Sequence, residues 1–331
     1  MKSVLITPEG IQKNLKNIKP LDAICEYIWN GFDAFATQVE VELHRNKMGL
    51  INMITIRDNG CGINYDELKY KFQPFNDSKK ANVSQKTNHT LPHGRKGIGR
   101  LTFFAFSQTA RWDTVYRKDG DTYEYYISMN KDSLNQYDDN GEKLPCKVEK
   151  LTGTKVSFTQ LESMEKEDII NKIKEEFFWF LELNKENDYK IIVDKECIDY
   201  SDFVEHTENM DVSKYGCKEM YDVRFVQWKQ KLGNEYSRIY YLGSDNKERY
   251  KETTKLNKRA DHFFHSVYIK SSYFDDFHFT NEEIEGQGDL FPNKCDDEYK
   301  ILINGINTFL IKYRSRYLKE ASDAYISKLI D

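Results

Sequence analysis

Hydrophobic and polar positions alternate in two early segments, VEVEL (Val39 to Leu43) and INMITIR (Ile51 to Arg57), separated by the polar stretch HRNKMG. A period of two predicts two strands joined by a turn. Ahead of them, Thr7-Pro8 has the form of a helix cap and first-turn proline leading into IQKNLKNI, and Leu21 to Ala36 reads as a second, more apolar helix. A short helix is expected from Asn64, which stands at capping-box spacing from Glu67, with Pro74 closing the element. From Asn76 to Pro92 the chain is almost wholly polar, the pattern of a long functional lid or a disordered segment. Glycines 94, 97 and 99 then open an apolar helix, LTFFAF, and strand-like runs recur at Trp112 to Tyr116, Tyr123 to Ser128 and Thr154 to Phe158. Ile169, Ile170, Ile173, Phe177, Phe178 and Phe180 sit at helical spacing and lead to a boundary near Asn184. Beyond it, strands are expected at Tyr189 to Val193, Val223 to Trp228, Arg238 to Leu242 and Phe263 to Ile269. Glu298 to Ile330 is expected as a long terminal helix, as suited to a partner as to its own core.

At 331 residues, with 39% hydrophobic and 14% aromatic residues, the chain has material for two folded domains. The net charge of -5 gives no general affinity for polyanions, although a local basic patch stays open. Cysteines stand at 25, 61, 146, 197, 217 and 295 with no C-x-x-C pair, so neither a zinc site nor a redox motif is indicated. Scattered cysteines, a start too weakly apolar for a signal peptide and the lack of a membrane-length apolar run make a cytoplasmic, membrane-free protein the expectation.

Four short segments carry candidate chemistry. In the helix from Leu21 to Ala36, Glu26, Asn30 and Asp33 fall on one face, away from Leu21, Ile28, Phe32 and Phe35. Taken alone, a solvated helix face explains them. Asp58-Asn59-Gly60-Cys61-Gly62 ends a strand, and its glycines allow close approach of a planar ligand. An acidic acceptor there suits the exocyclic amino group of adenine and rejects the acceptor oxygen of guanine; an ordinary D-N-G turn is the alternative. His93 to Arg100 places glycines before a helix whose free amides suit phosphates, with Arg95, Lys96 and Arg100 adding positive charge. It lacks the Walker A order, and a plain flexible turn reads equally well. Gly153-Thr154, entering the strand TKVSF, carries little by itself.

In this order the segments closely resemble the GHKL superfamily, which includes DNA gyrase, MutL, the ninety-kilodalton heat-shock chaperone, histidine kinases and MORC proteins. The pattern E-x-x-x-N-x-x-D-A stands as Glu26 to Ala34, D-x-G-x-G as Asp58 to Gly62, and G-x-x-G-x-G as Gly94 to Gly99. The resemblance implies an α+β chain: a Bergerat-type sandwich over residues 1–185, a mixed sheet with helices on one face, with a nucleotide lid at about 76–96. A smaller transducer-like α/β domain over 186–295 and a C-terminal helix over 296–331, the start of a coiled coil or dimer element, would follow.

It also implies ATP and Mg2+ as cofactors. Glu26 would orient the attacking water and Asn30 would bind the magnesium ion. Asp58 would read adenine with Gly60, Gly62 and Thr154 beside it, Asp33 would support the fold and adenine-site waters, and Gly94, Arg95, Lys96, Gly97, Ile98 and Gly99 would enclose the phosphates. These roles match phosphoryl transfer, in which positioning and charge neutralisation supply most of the catalysis. Lys255, with Lys251 as the alternative, is the expected γ-phosphate sensor. No phosphoacceptor helix precedes the first box, and a second domain follows, so the expectation is a slow ATPase of MORC-like or chaperone-like type that closes into a homodimer on ATP. DNA, a protein or a phage component are candidate clients, in genome maintenance or antiviral defence. A non-hydrolysing ATP-dependent switch and an interaction protein centred on the terminal helix are the competing readings.

Overall fold

The computed structural model describes residues 7–72, 99–231, 235, 237–257, 259–279 and 292–330. The expected lid and the box residues Gly94, Arg95, Lys96, Gly97 and Ile98 therefore lie outside the described residues. The described chain divides into two compact units, one of residues 7–72, 99–177 and 187–199, the other of residues 178–186 and from 200 onward.

The first unit begins with α1 (Pro8–Leu15), whose Gly10 amide donates to Thr7 Oγ1 at 3.2 Å, and α2 (Pro20–Asp33), again opened by proline. The sequence extends α2 to Ala36, but the helix closes sooner. Phe35 takes the left-handed conformation at φ 64°, and the Ala36 amide turns back to the Gly31 carbonyl. Then come β1 (Gln38–Arg45), β2 (Ile51–Asp58), α3 (Leu68–Phe72), β3 (Ser107–Lys118), β4 (Asp121–Asn130), β5 (Asp138–Asp139), β6 (Cys146–Val148), β7 (Gly153–Leu161), α4 (Lys166–Leu183), β8 (Lys190–Val193) and β9 (Glu196–Cys197). Asn64 caps the turn before α3 by accepting from the Asp66 amide at 3.0 Å. Asp119-Gly120, both at positive φ, makes the tight turn between β3 and β4.

The strands form one sheet in the order β5-β4-β3-β7-β2-β1-β8-β9, with β6 pairing β4. All pairs are antiparallel except β1 with β8. Val39, Val41, Leu43, Ile54, Ile56, Trp112, Val156 and Phe158 are buried along alternating positions, and α2 packs on β1 and β2 through this layer. The run from Tyr189 to Val193, expected in the second half, belongs instead to this sheet: β8 lies parallel to β1 with Val39 opposite Ile191 and Val41 opposite Val193. The apolar run LTFFAF is not an α-helix. Gly99–Ala105 winds as 3-10 turns because Phe103 N donates to the Tyr27 hydroxyl, and the Gly99 carbonyl accepts from Thr102 Oγ1.

The second unit holds the end of α4, then β10 (Val204–Met210), β11 (Asp222–Trp228), β12 (Arg238–Leu242), β13 (Glu248–Thr253), β14 (Phe264–Lys270) and α5 (Asp297–Ile330). Sheet order is β10-β11-β14-β12-β13, with β12 parallel to β14. β14 is buried on both faces. Tyr299, Leu302, Ile306, Leu310 and Tyr313 recur at helical spacing and pack α5 against Phe225, Tyr241, Val267 and Phe274, so the first half of this helix serves its own core. Among the described residues no helix is long and apolar enough to cross a membrane.

Candidate nucleotide site

The site is built where β2 ends and β7 begins. Asp58, the last residue of β2, is half-buried, and its Oδ1 accepts from the Gly60 amide at 2.9 Å and the Thr154 amide at 3.2 Å. No hydrogen bond from a described residue reaches Oδ2. Burial pushes the Asp58 carboxyl up to about 6, against the two amides, which favour the charged form. This is a carboxylate fixed by backbone on one oxygen and available to a ligand donor on the other.

Close packing fixes that geometry. A Cβ at Gly153 would strike the Asp58 carbonyl, and one at Gly62, whose φ is +72°, would strike the Val115 carbonyl. Both positions demand glycine. Gly60 lies under the Ala34 carbonyl, which accepts from the Cys61 amide at 2.9 Å. Thr154 is buried and shares a hydroxyl contact of 3.0 Å with Thr114, whose Oγ1 also accepts from the Ile63 amide at 2.9 Å. Thr114 thus ties the D-N-G loop to the start of β7.

Glu26 and Asn30, one turn apart on α2, are both half-buried and face Gly99. A Cβ there would lie 3.2 Å from Glu26 Oε2 and 3.8 Å from each polar atom of the Asn30 amide. The first box and the last glycine of the third therefore meet around a space that a side chain on residue 99 would narrow. Asn30 carries no side-chain hydrogen bond among the described residues. An amide oxygen in an open cradle suits magnesium, a hard cation that keeps several waters and shares its remaining positions with phosphate oxygens. Asp33, at the C-terminal end of α2, is half-buried.

Lys255 and Lys251 belong to the second unit. Lys255 is exposed just after β13. Lys251 is engaged: its Nζ lies 3.0 Å from Glu235 Oε2 and over the Trp179 and Tyr240 rings.

Four residues that shape the site escaped the sequence reading. Gly31 lets α2 approach β1 and β2 so closely that a Cβ would stand 3.0 Å from Asp58 Cβ; a glycine inside an otherwise apolar helix was its signal. Asn59 Oδ1 accepts from the Thr37 and Gln38 amides at 2.9 and 3.0 Å, joining the loop to the connection between α2 and β1. Thr114 and Tyr27 had no sequence signal, since each acts through partners far along the chain.

Residues 18–167 match the family model described as histidine kinase-, DNA gyrase B-, and HSP90-like ATPase. A MutL homologue of Schizosaccharomyces pombe is 39% identical over 79 residues, 24% of this chain and 11% of that protein. HgiDII of Herpetosiphon aurantiacus, described as a type II restriction enzyme, is 28% identical over 120 residues, 36% of this chain and 17% of that protein. The DNA mismatch repair protein MutL of Escherichia coli O1:K1 / APEC is 37% identical over 65 residues, 20% of this chain and 10% of that protein. The matches thus span a small part of each relative's length. The ATPase region of Saccharomyces cerevisiae topoisomerase II aligns with a TM-score of 0.41 at 13% identity, over 76% of this chain and 72% of that one.

Proposed function

We propose that this chain, whose residues 18–167 belong to the GHKL superfamily of histidine kinase-, DNA gyrase B- and HSP90-like ATPases, binds ATP with magnesium and hydrolyses it slowly to drive a conformational cycle. The observation that carries the reading is the convergence of separated boxes: Asp58 meets the Thr154 amide, while Glu26 and Asn30 meet Gly99.

Asp58 holds adenine through its unoccupied oxygen, and the tight packing of Gly62 and Gly153 leaves room for a flat base. Asn30 would hold magnesium, which when bound neutralises phosphate charge. Glu26 takes the position from which a water is oriented toward the γ-phosphate, and the developing proton passes to its carboxylate or to a water it holds. Lys255, exposed and without a described ion pair, is the better of the two lysines for sensing the γ-phosphate, because Lys251 is already paired with Glu235. In this reading ATP closes the segment before Gly99 and brings two copies together as a molecular clamp, with the second unit as transducer. The mismatch-repair and restriction relatives favour work on DNA in a genome-maintenance or defence setting, in the cytoplasm.

The test is Glu26→Ala. Phosphate release is expected to fall by about a hundredfold or more, the scale of a general-base loss, while binding of a non-hydrolysable ATP analogue and analogue-induced dimerisation persist. Equal turnover in variant and parent would remove Glu26 from the mechanism and leave the non-hydrolysing switch as the reading.

A further inference from the structure

Tyr27 follows Glu26 on α2, about 100° further round the helix, and its ring enters the layer between α2 and the sheet. Its ring packs against Phe106, Trp112 and Phe158 and is only 3% exposed. Its hydroxyl sits on the backbone of the segment that follows the third box: it donates to the Arg100 carbonyl at 2.8 Å and accepts from the Phe103 amide at 3.2 Å. Both lone functions of one phenol are spent on two backbone groups three residues apart. A second contact fixes the same segment from within, Thr102 Oγ1 to the Gly99 carbonyl at 2.7 Å. The consequence lies one residue before Arg100, at Gly99, which stands against Glu26 Oε2 and the Asn30 amide.

We infer that Tyr27 is a positioning residue for the phosphate end of the site: its hydroxyl pins the backbone after the glycine box to α2, so that Gly99 is held against Glu26 and Asn30. The inference rests on the ATP-site reading above. Three features support it beyond packing. A phenylalanine would fill the same aromatic pocket, so the hydroxyl is not needed to fill space. The two groups it joins stand at i, i+3 spacing within 3-10 turns, whose internal bonds have poorer geometry than those of an α-helix, so a side chain that bonds both braces the turn. The hydroxyl also reaches the segment from the residue adjacent to Glu26, so the spacing between that carboxylate and Gly99 is set over a very short path. Tyr27 does not touch the adenine end, where Asp58, Thr154 and Thr114 form a separate network.

The experiment uses the full chain with Tyr27→Phe and, as a second variant that loosens the same segment from its own side while leaving the Tyr27 phenol in place, Thr102→Val, whose hydroxyl bonds the Gly99 carbonyl and lies beside the Tyr27 hydroxyl. Affinities are measured for adenosine and for a non-hydrolysable ATP analogue, together with phosphate release. In each variant the analogue is expected to bind about tenfold more weakly, the scale of one net hydrogen bond, since part of the two bonds lost in Tyr27→Phe is spent on local folding rather than on the ligand. Adenosine affinity should stay within about twofold, and turnover should fall about tenfold. Equal weakening of both ligands would make the hydroxyl a merely structural group and overturn the proposal, as would unchanged analogue affinity and turnover in both variants. If Tyr27→Phe does not fold, the Thr102→Val ratio decides alone. A parent chain that binds adenosine and the analogue equally would instead overturn the phosphate-site reading on which the inference stands.

Discussion

Three acidic side chains, one in the first unit and two in the second, are withdrawn from water in different ways. Asp58 is held by two backbone amides on a single oxygen, and burial leaves its carboxyl raised to about 6. Glu252 is also withdrawn from water, which pushes its carboxyl up, but the Lys294 ammonium at 2.9 Å and the hydroxyls of Tyr241 and Tyr299 at 2.6 and 3.0 Å hold it below the ordinary carboxylate range. Tyr241 and Tyr299 also contact each other at 3.0 Å, closing the circuit. Among the described residues Glu248 has no hydrogen bond to either carboxylate oxygen, and burial raises its carboxyl despite the Lys251 charge nearby. A closed polar network fixes a fold, a backbone-held carboxylate with one oxygen to spare can serve a ligand, and an isolated buried acid costs stability.

The largest expected effect separates the ligand role from the structural one. Asp58→Ala should weaken adenosine binding by about a hundredfold or more, because a donor that loses a buried charged acceptor forfeits a strong hydrogen bond. Adenosine carries no phosphate that titrates near the pH concerned, so the same contact has a readable pH profile in the parent. As pH falls below about 6, Asp58 takes up a proton and stops accepting, and adenosine affinity should fall by up to about tenfold per pH unit. Because the folded pKa is raised, protonation favours the folded state: the contribution of Asp58 to stability declines as pH rises from the ordinary carboxylate range through about 6. Binding and stability should therefore move in opposite directions with pH at this residue. A pH-independent adenosine affinity by calorimetry between pH 5 and 8 would erase the distinction drawn for Asp58.

How much of this was legible beforehand depends on the range of the interactions. The β1 and β2 hairpin, the face of α2 carrying Glu26 and Asn30, and the first half of α5 follow from local periodicity, which the structure follows closely. The strand end at Asp58 was readable for the same reason. Its meeting with Thr154 was not, since those residues lie 96 positions apart and only the resemblance joined them. Long-range pairing also moved Lys190–Val193 into the first sheet. The hydroxyl of Tyr27, invisible to any pattern of apolar positions, turned an apparent helix at LTFFAF into 3-10 turns. β10 escaped notice because most of its residues are exposed and polar, so it has no apolar face to announce it. Lys255 and Lys251 look alike in sequence; Glu235 distinguishes them only in space.

The next effect in size tests the closed network. Glu252→Ala would leave the Lys294 ammonium without this acceptor and the Tyr241 and Tyr299 hydroxyls with only each other, and a loss of about 2 kcal/mol is expected for a partly buried charged partner. Its folded pKa is depressed, so the parent enjoys this stabilisation above the ordinary carboxylate range and loses it as pH falls through the lower folded value. The destabilisation caused by Glu252→Ala should accordingly shrink in acid. Denaturant titrations of parent and variant at neutral and acidic pH measure it, and a gap that is constant with pH would mean that Glu252 is not held charged by its neighbours.

The smallest expected effect has the opposite sign. Glu248, on β13, pairs with Leu242 of β12 next to a register shift, is 7% exposed, and neither of its carboxylate oxygens has a hydrogen-bond partner among the described residues. Its raised pKa means that folding favours the protonated acid, so the cost of burying it grows as pH rises through the ordinary carboxylate range toward the folded value. Glu248→Gln keeps the shape and removes the ionisation while leaving the amide as unpartnered as the acid. A gain of about 1 kcal/mol at neutral pH is expected, vanishing below the ordinary range where the parent's acid is already protonated. The comparison is a thermal unfolding series of parent and variant across pH. If Glu248→Gln destabilises at neutral pH, then Lys251 and Arg238, the cations that favour its charged form, outweigh the burial cost. Glu248 would then belong with Glu252 as part of a stabilising charge network rather than standing apart from it.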